Sequence, residues 1–527
     1  MSTQPVPDNS IKTKKLQGLR VLVTAFELEQ TEHRGIAVFT KGMLKALREA
    51  GAEVWLLTEF DPSMSDLNTT ELTSKTANII YAARVLDSLN SGIQASVVTG
   101  KRKFMKRIPI LRSFLGIADL IKRLTGALFP TRQFSQRSLK TIPLDQFLDN
   151  PYLRSERLGY LQDVDGLICA NDLFSHSFSL ARQPSGHALR LALEGFDGVI
   201  TTCPLNISAR NVRFMVQTIH DLIPLEYVQT GDNPRVFFRR LKACAYGGRL
   251  FVSQSTLNKY DNAIPQPTLT RPRASGVVIQ PPSLVFPADA CDWEARTSEL
   301  SVYCDKQSHT KVLQPCRYLL FNSSVHPHKN LLFALRAFSE SRVEQHGVKL
   351  CIVGKLKSTR YSIKIKNLVD SNSNMLLTGY VDEATKRQLF LNALAVVCPS
   401  LVEGFGIPVL DGACLGLPVI ASPSESHQEI RGLYDFDQHV LLCSTLQTSD
   451  WASAMRLVVA RMERQRLEAI AGLPDHLRAQ QQGLWLDELR QHRIRRYRQL
   501  QHTIDTAFQD AIVGVIQAEL ATSARSA

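Results

Sequence analysis

Unbroken apolar runs of about five residues, each closed by a polar loop and followed by a helix-length amphipathic stretch, recur along this chain. Leu19–Ala25 (LRVLVTA) is the first: rich in β-formers and without alternation, as expected of a strand buried on both faces. A loop, Phe26–Arg34, leads through Gly35 into a helix over Ile36–Ala50 that stops at Gly51. Glu53–Thr58 (EVWLLT) reads as the next strand, and a β-loop-α-β opening implies a parallel sheet with helices on its faces. The rhythm returns at Gly198–Thr202, Phe214–Ile219 and Arg249–Ser253. Between these stretches, residues 60–190 offer polar and basic helical segments with no clear strand and read as an insertion. Residues 262–316, rich in Pro and Ser and containing Pro281-Pro282, read as an interdomain connection. A second βα series starts at Arg317, with strands over Tyr318–Asn322, Lys349–Val353, Asn374–Thr378, Ala395–Cys398 and Leu417–Ala421. Helices are expected over Leu331–Glu340, Lys386–Ala393 and Pro408–Leu415, and the last 75 or so residues read as charged helix.

Charge and cysteine content sharpen this picture. The chain has 527 residues and a net charge of +13, and residues 101–140 alone carry eleven Lys/Arg against the single acid Asp119. One basic segment therefore makes the chain basic, while the rest is nearly neutral. Within it, Ile110, Phe114, Ile117, Ile121, Leu124 and Leu128 fall on one helical face with Arg112, Asp119 and Arg123 opposite. Such a helix suits either an anionic membrane surface or packing on its own domain. Nucleic acid is a poor fit, because the chain has no zinc finger, RNP-type aromatic pattern or helix-turn-helix signature. Ten cysteines run from Cys169 to Cys443 without close pairs, which excludes a zinc ribbon or a redox CxxC and predicts buried thiols in a reducing compartment. The first 18 residues are polar and lack the apolar core of a signal peptide, and no apolar run approaches the ~18 residues of a membrane span. The expectation is a cytoplasmic protein, with peripheral membrane contact through 101–140.

In an open parallel sheet the carboxyl ends of the strands face the ligand crevice. Four strand-end loops here carry fitting chemistry: His220-Asp221; Asn322–Asn330 (NSSVHPHKN) with Ser324, His328 and Lys329; Ser400–Gly406 (SLVEGFG) with Glu403, Gly404, Phe405 and Gly406; and Asp411, eight residues past Glu403 and inside the following helix. Lys329 supplies positive potential for a diphosphate, and the helix starts after Asn322 and Gly404 supply free N–H groups. Carboxylates suit the vicinal hydroxyls of sugars. Other signals fail. KLCIVGK mimics a P-loop, but Lys349 stands where its first Gly must be. Asp163-Val-Asp165 and Asp435-Phe-Asp437 match a short metal-binding triplet without the strand context, and no His/Cys/Asp cluster has metal-ligand spacing, so no metal is expected.

Together, and in this order, these segments resemble retaining glycosyltransferases of family 4, of GT-B fold. The stretch PSLVEGFGIPVLDGACLGLPVIAS is similar to that family's Glu-x7-Glu block, with Glu403 first and Asp411 in place of the second Glu. YLLFNSSVHPHKNLLFALRAF resembles its strand, phosphate-binding Lys and helix, TIHDLIPLEY its His-Asp loop, and RGIAVFTKGMLKAL its first glycine loop, here with Gly35. The resemblance implies two Rossmann-like parallel-sheet domains facing a crevice: a tail over 1–18, an acceptor domain over 19–280 with the basic helical insertion, a linker over 281–316 and a nucleotide-sugar domain over 317–485. A helical tail over 486–527 would pack back on the first domain. It implies catalytic roles for His220, Glu403 and Lys329. Donor binding would fall to Asp411, Gly404, Phe405, Gly406, Asn322, Ser324 and Gly35, with Glu403 on the sugar and Asp411 on the ribose. The chemistry implied is transfer of a hexose, mannose as the best guess with GDP-mannose as donor, to a saccharide or lipid-linked saccharide, with no cofactor. The sequence departs from the family at Asp411, one methylene short, and at Ser324, where many relatives have an Arg. Alternative readings are a nucleotide-sugar epimerase or phosphorylase-like enzyme of the same fold, and a non-catalytic scaffold on membrane or nucleic acid.

Overall fold

The computed structural model describes residues 14–524 except 34, 65–72, 93–129, 146–154, 228–232, 266–271, 288–299 and 305–308. Residues 1–13 of the expected tail, most of the basic segment and its amphipathic helix, and part of the connection at 262–316 lie outside these residues, whereas Leu16, expected in the tail, is buried and donates its N–H to the Ala50 carbonyl.

The first half opens with β1 (Arg20–Thr24), α1 (Gly35–Glu49), β2 (Glu53–Thr58) and α2 (Ser74–Ser91). It continues through β3 (Gln133–Ser135), β4 (Lys140–Pro143), β5 (Gly166–Cys169), α3 (Leu173–Arg182), β6 (Leu189–Ala192), β7 (Gly198–Thr201) and β8 (Ile207–Arg210). It closes with β9 (Phe214–Ile219), α4 (Ile223–Glu226), α5 (Pro234–Cys244), β10 (Gly248–Phe251), α6 (Gln254–Ala263) and β11 (Ser275–Val277). The main sheet has the order β11-β10-β9-β7-β1-β2-β5-β4, and a small sheet has the order β3-β6-β8. Val21, Leu22 and Val23 of β1 are fully buried, which is why this run shows no alternation.

The reading of 60–190 as strand-free is corrected. β5 pairs in parallel with β2, and β4 runs antiparallel to β5 along the edge. At four residues each, one flanked by Asp165 and the other ending in Pro143, they are too short for a periodicity to show. The connection at 262–316 likewise holds structure: β11, and a hairpin of β12 (Leu300–Cys304) and β13 (His309–Leu313).

The second half is a six-stranded parallel sheet of order β16-β15-β14-β17-β18-β19. Its elements are β14 (Tyr318–Asn322), α7 (Leu331–Ser341), β15 (Lys349–Val353), α8 (Arg360–Asp370), β16 (Met375–Gly379), α9 (Glu383–Leu391) and β17 (Ala395–Cys398). After these come α10 (Ile407–Cys414), β18 (Val419–Ala421), α11 (Glu425–Arg431), β19 (Val440–Leu442) and α12 (Thr448–Ala469). Two Rossmann-like sheets thus face each other with their carboxyl-terminal strand ends toward a shared crevice, the GT-B architecture.

The chain crosses between the halves twice, once through 278–287 and once along α13 (Asp475–Ala524), a single helix of 50 residues. Its first part packs Trp485, Leu486 and Leu489 on the second core, and Arg493 donates to the Leu391 and Ala393 carbonyls at the end of α9. Its last part buries Ile504, Phe508, Ile512 and Ile516, a stripe at four-residue spacing, against α1 and the β9–β11 edge. Phe508 meets Phe39 of α1 edge-on at 5.3 Å, and Phe39 meets the His220 ring at 4.8 Å.

Candidate active site

The crevice holds a cavity of about 530 Å³ lined from both domains. Asn322, Ser324, Lys329, Glu403, Gly404, Phe405 and Gly406 line it from the second domain, and Gly35 and His220 from the first. Nine of the ten residues singled out from the sequence are therefore brought together. The tenth is not.

At the centre Lys329, just before α7, reaches the Glu403 carboxylate at 2.6 Å, and Ser400 Oγ donates to the same oxygen at 2.7 Å. Both side chains are largely buried, at 15% and 11% exposure. Burial pushes the Glu403 carboxyl up, but Lys329, His427 and the two hydrogen bonds outweigh it and hold it below the usual carboxylate range. The pair is thus a fixed cation and anion at the carboxyl end of the sheet, beside the start of α10.

His220 ends β9. Its Nε2 lies 2.7 Å from the Thr202 carbonyl, so Nε2 carries the proton and Nδ1 is left as an acceptor. Burial lowers its pKa to about 4, so the ring is neutral across the physiological range. Next to it Asp221 accepts the Ile223 N–H at 3.0 Å, and burial raises its carboxyl to about 6. Because the folded protein holds this proton more tightly than an ordinary Asp at 3.8, ionised Asp221 opposes folding above pH 6. Asp221→Asn keeps the acceptor oxygen. It should raise the thermal midpoint at pH 7 to 8, with a gain that fades as the pH falls from about 6 toward 4.

The glycines of the Gly-Phe-Gly turn serve the protein's own packing. A Cβ on Gly404 would stand 2.1 Å from the His220 carbonyl oxygen of the opposite domain. Gly406 has φ +113°, and a Cβ there would stand 2.8 Å from the His427 ring. Both glycines also line the crevice cavity, with their backbone toward it. Around this contact the halves are clamped: Ser253 Oγ donates to the Gly404 carbonyl at 2.9 Å, and the Glu429 carboxylate caps α6 by accepting Gln254 and Ser255 N–H at 2.8 and 2.7 Å. Gly35 lies on the same seam, its carbonyl accepting from Gln280 Nε2 at 2.9 Å.

Asp411 is the residue the cavity does not contain. It is fully buried, and its carboxylate accepts from Ser283 N–H at 2.7 Å, from Ser283 Oγ and from Tyr497 OH at 3.0 Å. The Tyr497 oxygen also accepts the Leu284 N–H at 2.7 Å. Its expected ribose contact is corrected: the α10 face that carries it turns toward the two interdomain crossings. The two Asp-x-Asp triplets are engaged elsewhere, Asp435 with Arg496 at 2.5 Å and Asp165 with Arg48 at 2.6 Å, and neither lines the cavity. Among the described residues no cluster of three or more His, Cys, Asp or Glu could hold a metal ion.

The cavity also contains lysines the motif reading passed over. Lys355 and Lys357 follow β15, and Lys386 lies in α9. Lys355 stands 3.7 Å from Glu32 across the crevice and Lys386 2.5 Å from Glu383, while Lys357 makes no ion pair among the described residues. The strand-end rule finds Lys355 at once. In the sequence its position is masked by the partial P-loop match of KLCIVGK.

Residues 307–467, within the second half, match the family described as Glycosyl transferases group 1. Over 114 residues the chain is 28% identical to an uncharacterized glycosyltransferase of Methanocaldococcus jannaschii, a match spanning 22% of this chain and 29% of that protein's length. The structure is similar to sucrose-phosphate synthase from Thermosynechococcus elongatus, at 14% identity and TM-score 0.45, over 92% of this chain and 99% of that one. It is also similar to Anabaena Alr3699/HepE in complex with UDP-glucose, at 11% identity and TM-score 0.43, over 97% and 100%. Among the described residues no helix is long and apolar enough to cross a membrane.

Proposed function

We propose that this chain is a retaining glycosyltransferase of family 4 that moves a hexose from a nucleotide-sugar donor to a saccharide or lipid-linked saccharide. The observation that carries this reading is the Lys329–Glu403 pair, largely buried at the carboxyl end of a parallel sheet beside the start of α10. Lys329 and the helix start take the diphosphate, and Glu403 accepts hydrogen bonds from the sugar hydroxyls. Lys355, Lys357 and Lys386 offer the further positive charge that Ser324, standing where relatives have an Arg, does not. In transfer, the bond from sugar C1 to the diphosphate oxygen breaks and a bond from C1 to the acceptor oxygen forms on the same face. The acceptor proton passes to the departing diphosphate. The protein's work is then to stabilise the leaving charge and to hold geometry. Neutral His220 offers Nδ1 to a hydroxyl near the reacting carbon. The donor is taken as GDP-mannose, without a metal requirement, on the family resemblance alone.

A screen of nucleotide sugars for thermal protection tests the reading, since a ligand stabilises only the state that binds it. One nucleotide sugar and its nucleoside diphosphate should raise the unfolding midpoint; no saturable nucleotide binding at all removes the proposal. Transfer to an added acceptor, against isomerisation or phosphate-dependent cleavage, separates it from an epimerase or a phosphorylase.

The eleven Lys/Arg of 101–140 extend the proposal to a cytoplasmic protein held at an anionic membrane face. At about 1 kcal/mol per base near such a surface, half of them suffice. The protein should sediment with anionic vesicles at low salt, ignore neutral ones and be released as salt is raised. Failure to sediment confines the segment to packing.

A further inference from the structure

A second chamber, of about 510 Å³, lies within the first domain between α3, α5 and the loops that follow β1 and β7. It shares Glu27, Ile36, His220, Asp221 and Pro224 with the crevice, so the two spaces meet at the His-Asp loop. The rest of its wall has a different chemistry. Phe26, Phe178 and Phe237 line it together with the guanidinium groups of Arg182 and Arg240. Phe26 and Phe178 meet edge-on at 5.1 Å. Arg240 lies 4.7 Å over the Phe178 ring and 5.5 Å over that of Phe237, and its Nε donates to the Pro204 carbonyl at 2.7 Å. That guanidinium is held by two rings and a carbonyl, while Arg182 stands exposed at the end of α3. Among the described residues neither arginine makes an ion pair, although Arg48, Arg213 and Arg496 each have a carboxylate.

Two guanidinium groups with no ion pair among the described residues, in one concave, aromatic-walled space, fit a carboxylate or a phosphate, either of which the arginine fork takes in a bidentate manner. Aromatic faces beside them fit the apolar face of a sugar ring, and the opposite wall, with His220, Asp221 and Glu27, offers acceptors for hydroxyls. Resting on the transferase reading above, we propose that this chamber is the acceptor subsite and that it selects a saccharide carrying an anionic group, which Arg182 and Arg240 receive. The anion anchors one end of the acceptor. A hydroxyl at the other end is presented at the His220–Asp221 junction, where the crevice begins.

Titration of the full-length protein with glucuronate, glucose 6-phosphate and glucose, followed by ligand-observed NMR, tests this. At least one charged sugar should bind about tenfold or more tighter than glucose, and which one identifies the anion as carboxylate or phosphate. Arg182→Gln and Arg240→Gln should each remove that preference, and both should keep their binding of UDP or GDP, which reports an intact fold and crevice. Excess nucleoside diphosphate should leave the charged sugar bound. Equal binding of glucose, a preference that survives both substitutions, or displacement by nucleoside diphosphate overturns the proposal. Charged-sugar binding by a protein that binds no nucleotide sinks the transferase reading, and the acceptor assignment with it. Nucleotide binding without the sugar preference sinks the acceptor assignment alone.

Discussion

Glu403→Gln should lower the transfer rate at least about tenfold while nucleoside diphosphate binds as tightly as before, or more tightly. The amide keeps the volume and one acceptor oxygen, so the Ser400 hydrogen bond survives. What disappears is the negative charge that faces Lys329 at 2.6 Å. Lys329 is then a largely buried cation without its partner, and a diphosphate becomes the group best able to neutralise it. Ground-state affinity and turnover should therefore move apart, which a structural defect would not produce. Lys329→Ala should act the other way. It should weaken nucleoside diphosphate binding on the order of 10- to 100-fold, the worth of one charge-assisted contact, and leave nucleoside binding nearly unchanged. Isothermal titration with the two ligands reads this directly. Equal losses for both would remove Lys329 from the phosphate site.

Asp411→Ala should cost about 3 kcal/mol or more in stability, by analogy with breaking a buried charged network. The substitution strands the Ser283 N–H and hydroxyl and the Tyr497 hydroxyl inside the protein. A ribose-binding residue would show the opposite pattern, with a normal unfolding midpoint and weakened nucleotide affinity. Chemical denaturation of Asp411→Ala alongside Tyr497→Phe separates the two roles: the phenylalanine variant loses two hydrogen bonds, to Asp411 and from the Leu284 N–H, but keeps Ser283 on the carboxylate, and should cost about 2 kcal/mol. A wild-type midpoint for Asp411→Ala would return this residue to the donor site.

What the sequence discloses and what it hides follow from local physics. Strands such as those read over Leu19–Ala25 and Tyr318–Asn322 announce themselves because parallel strands buried on both faces must be continuously apolar. The four-residue β5, between Asp165 and Ala170, lacks the length for a pattern. His220, Lys329 and Glu403 were legible because strand-end loops point at the crevice wherever the sheet is parallel. Asp411 was misread because it sits inside a helix, where the direction of a side chain depends on how α10 packs against Ser283 and Tyr497, residues 128 and 86 positions away in sequence. Lys355 was missed because a failed motif masked a valid position. The unpaired arginines of the second chamber come from α3 and α5, and nothing local marks them as neighbours.

Modular exchange is one route by which a two-domain enzyme could acquire a new donor, by trading the half that reads the nucleotide. Here α13 constrains where such a trade can be cut. Its first part completes the core of the second half through Trp485, Leu486 and Leu489, and its last part completes that of the first half through Ile504, Phe508 and Ile512. A graft spliced only near residue 285 would carry off the stripe that covers α1 and leave the recipient with an uncovered apolar face. Two junctions are needed, one in the crossing at 278–287 and one inside the helix between Arg498 and Ile504. The second must preserve the helical phase, because Tyr497 and Phe508 serve different domains from the same rod.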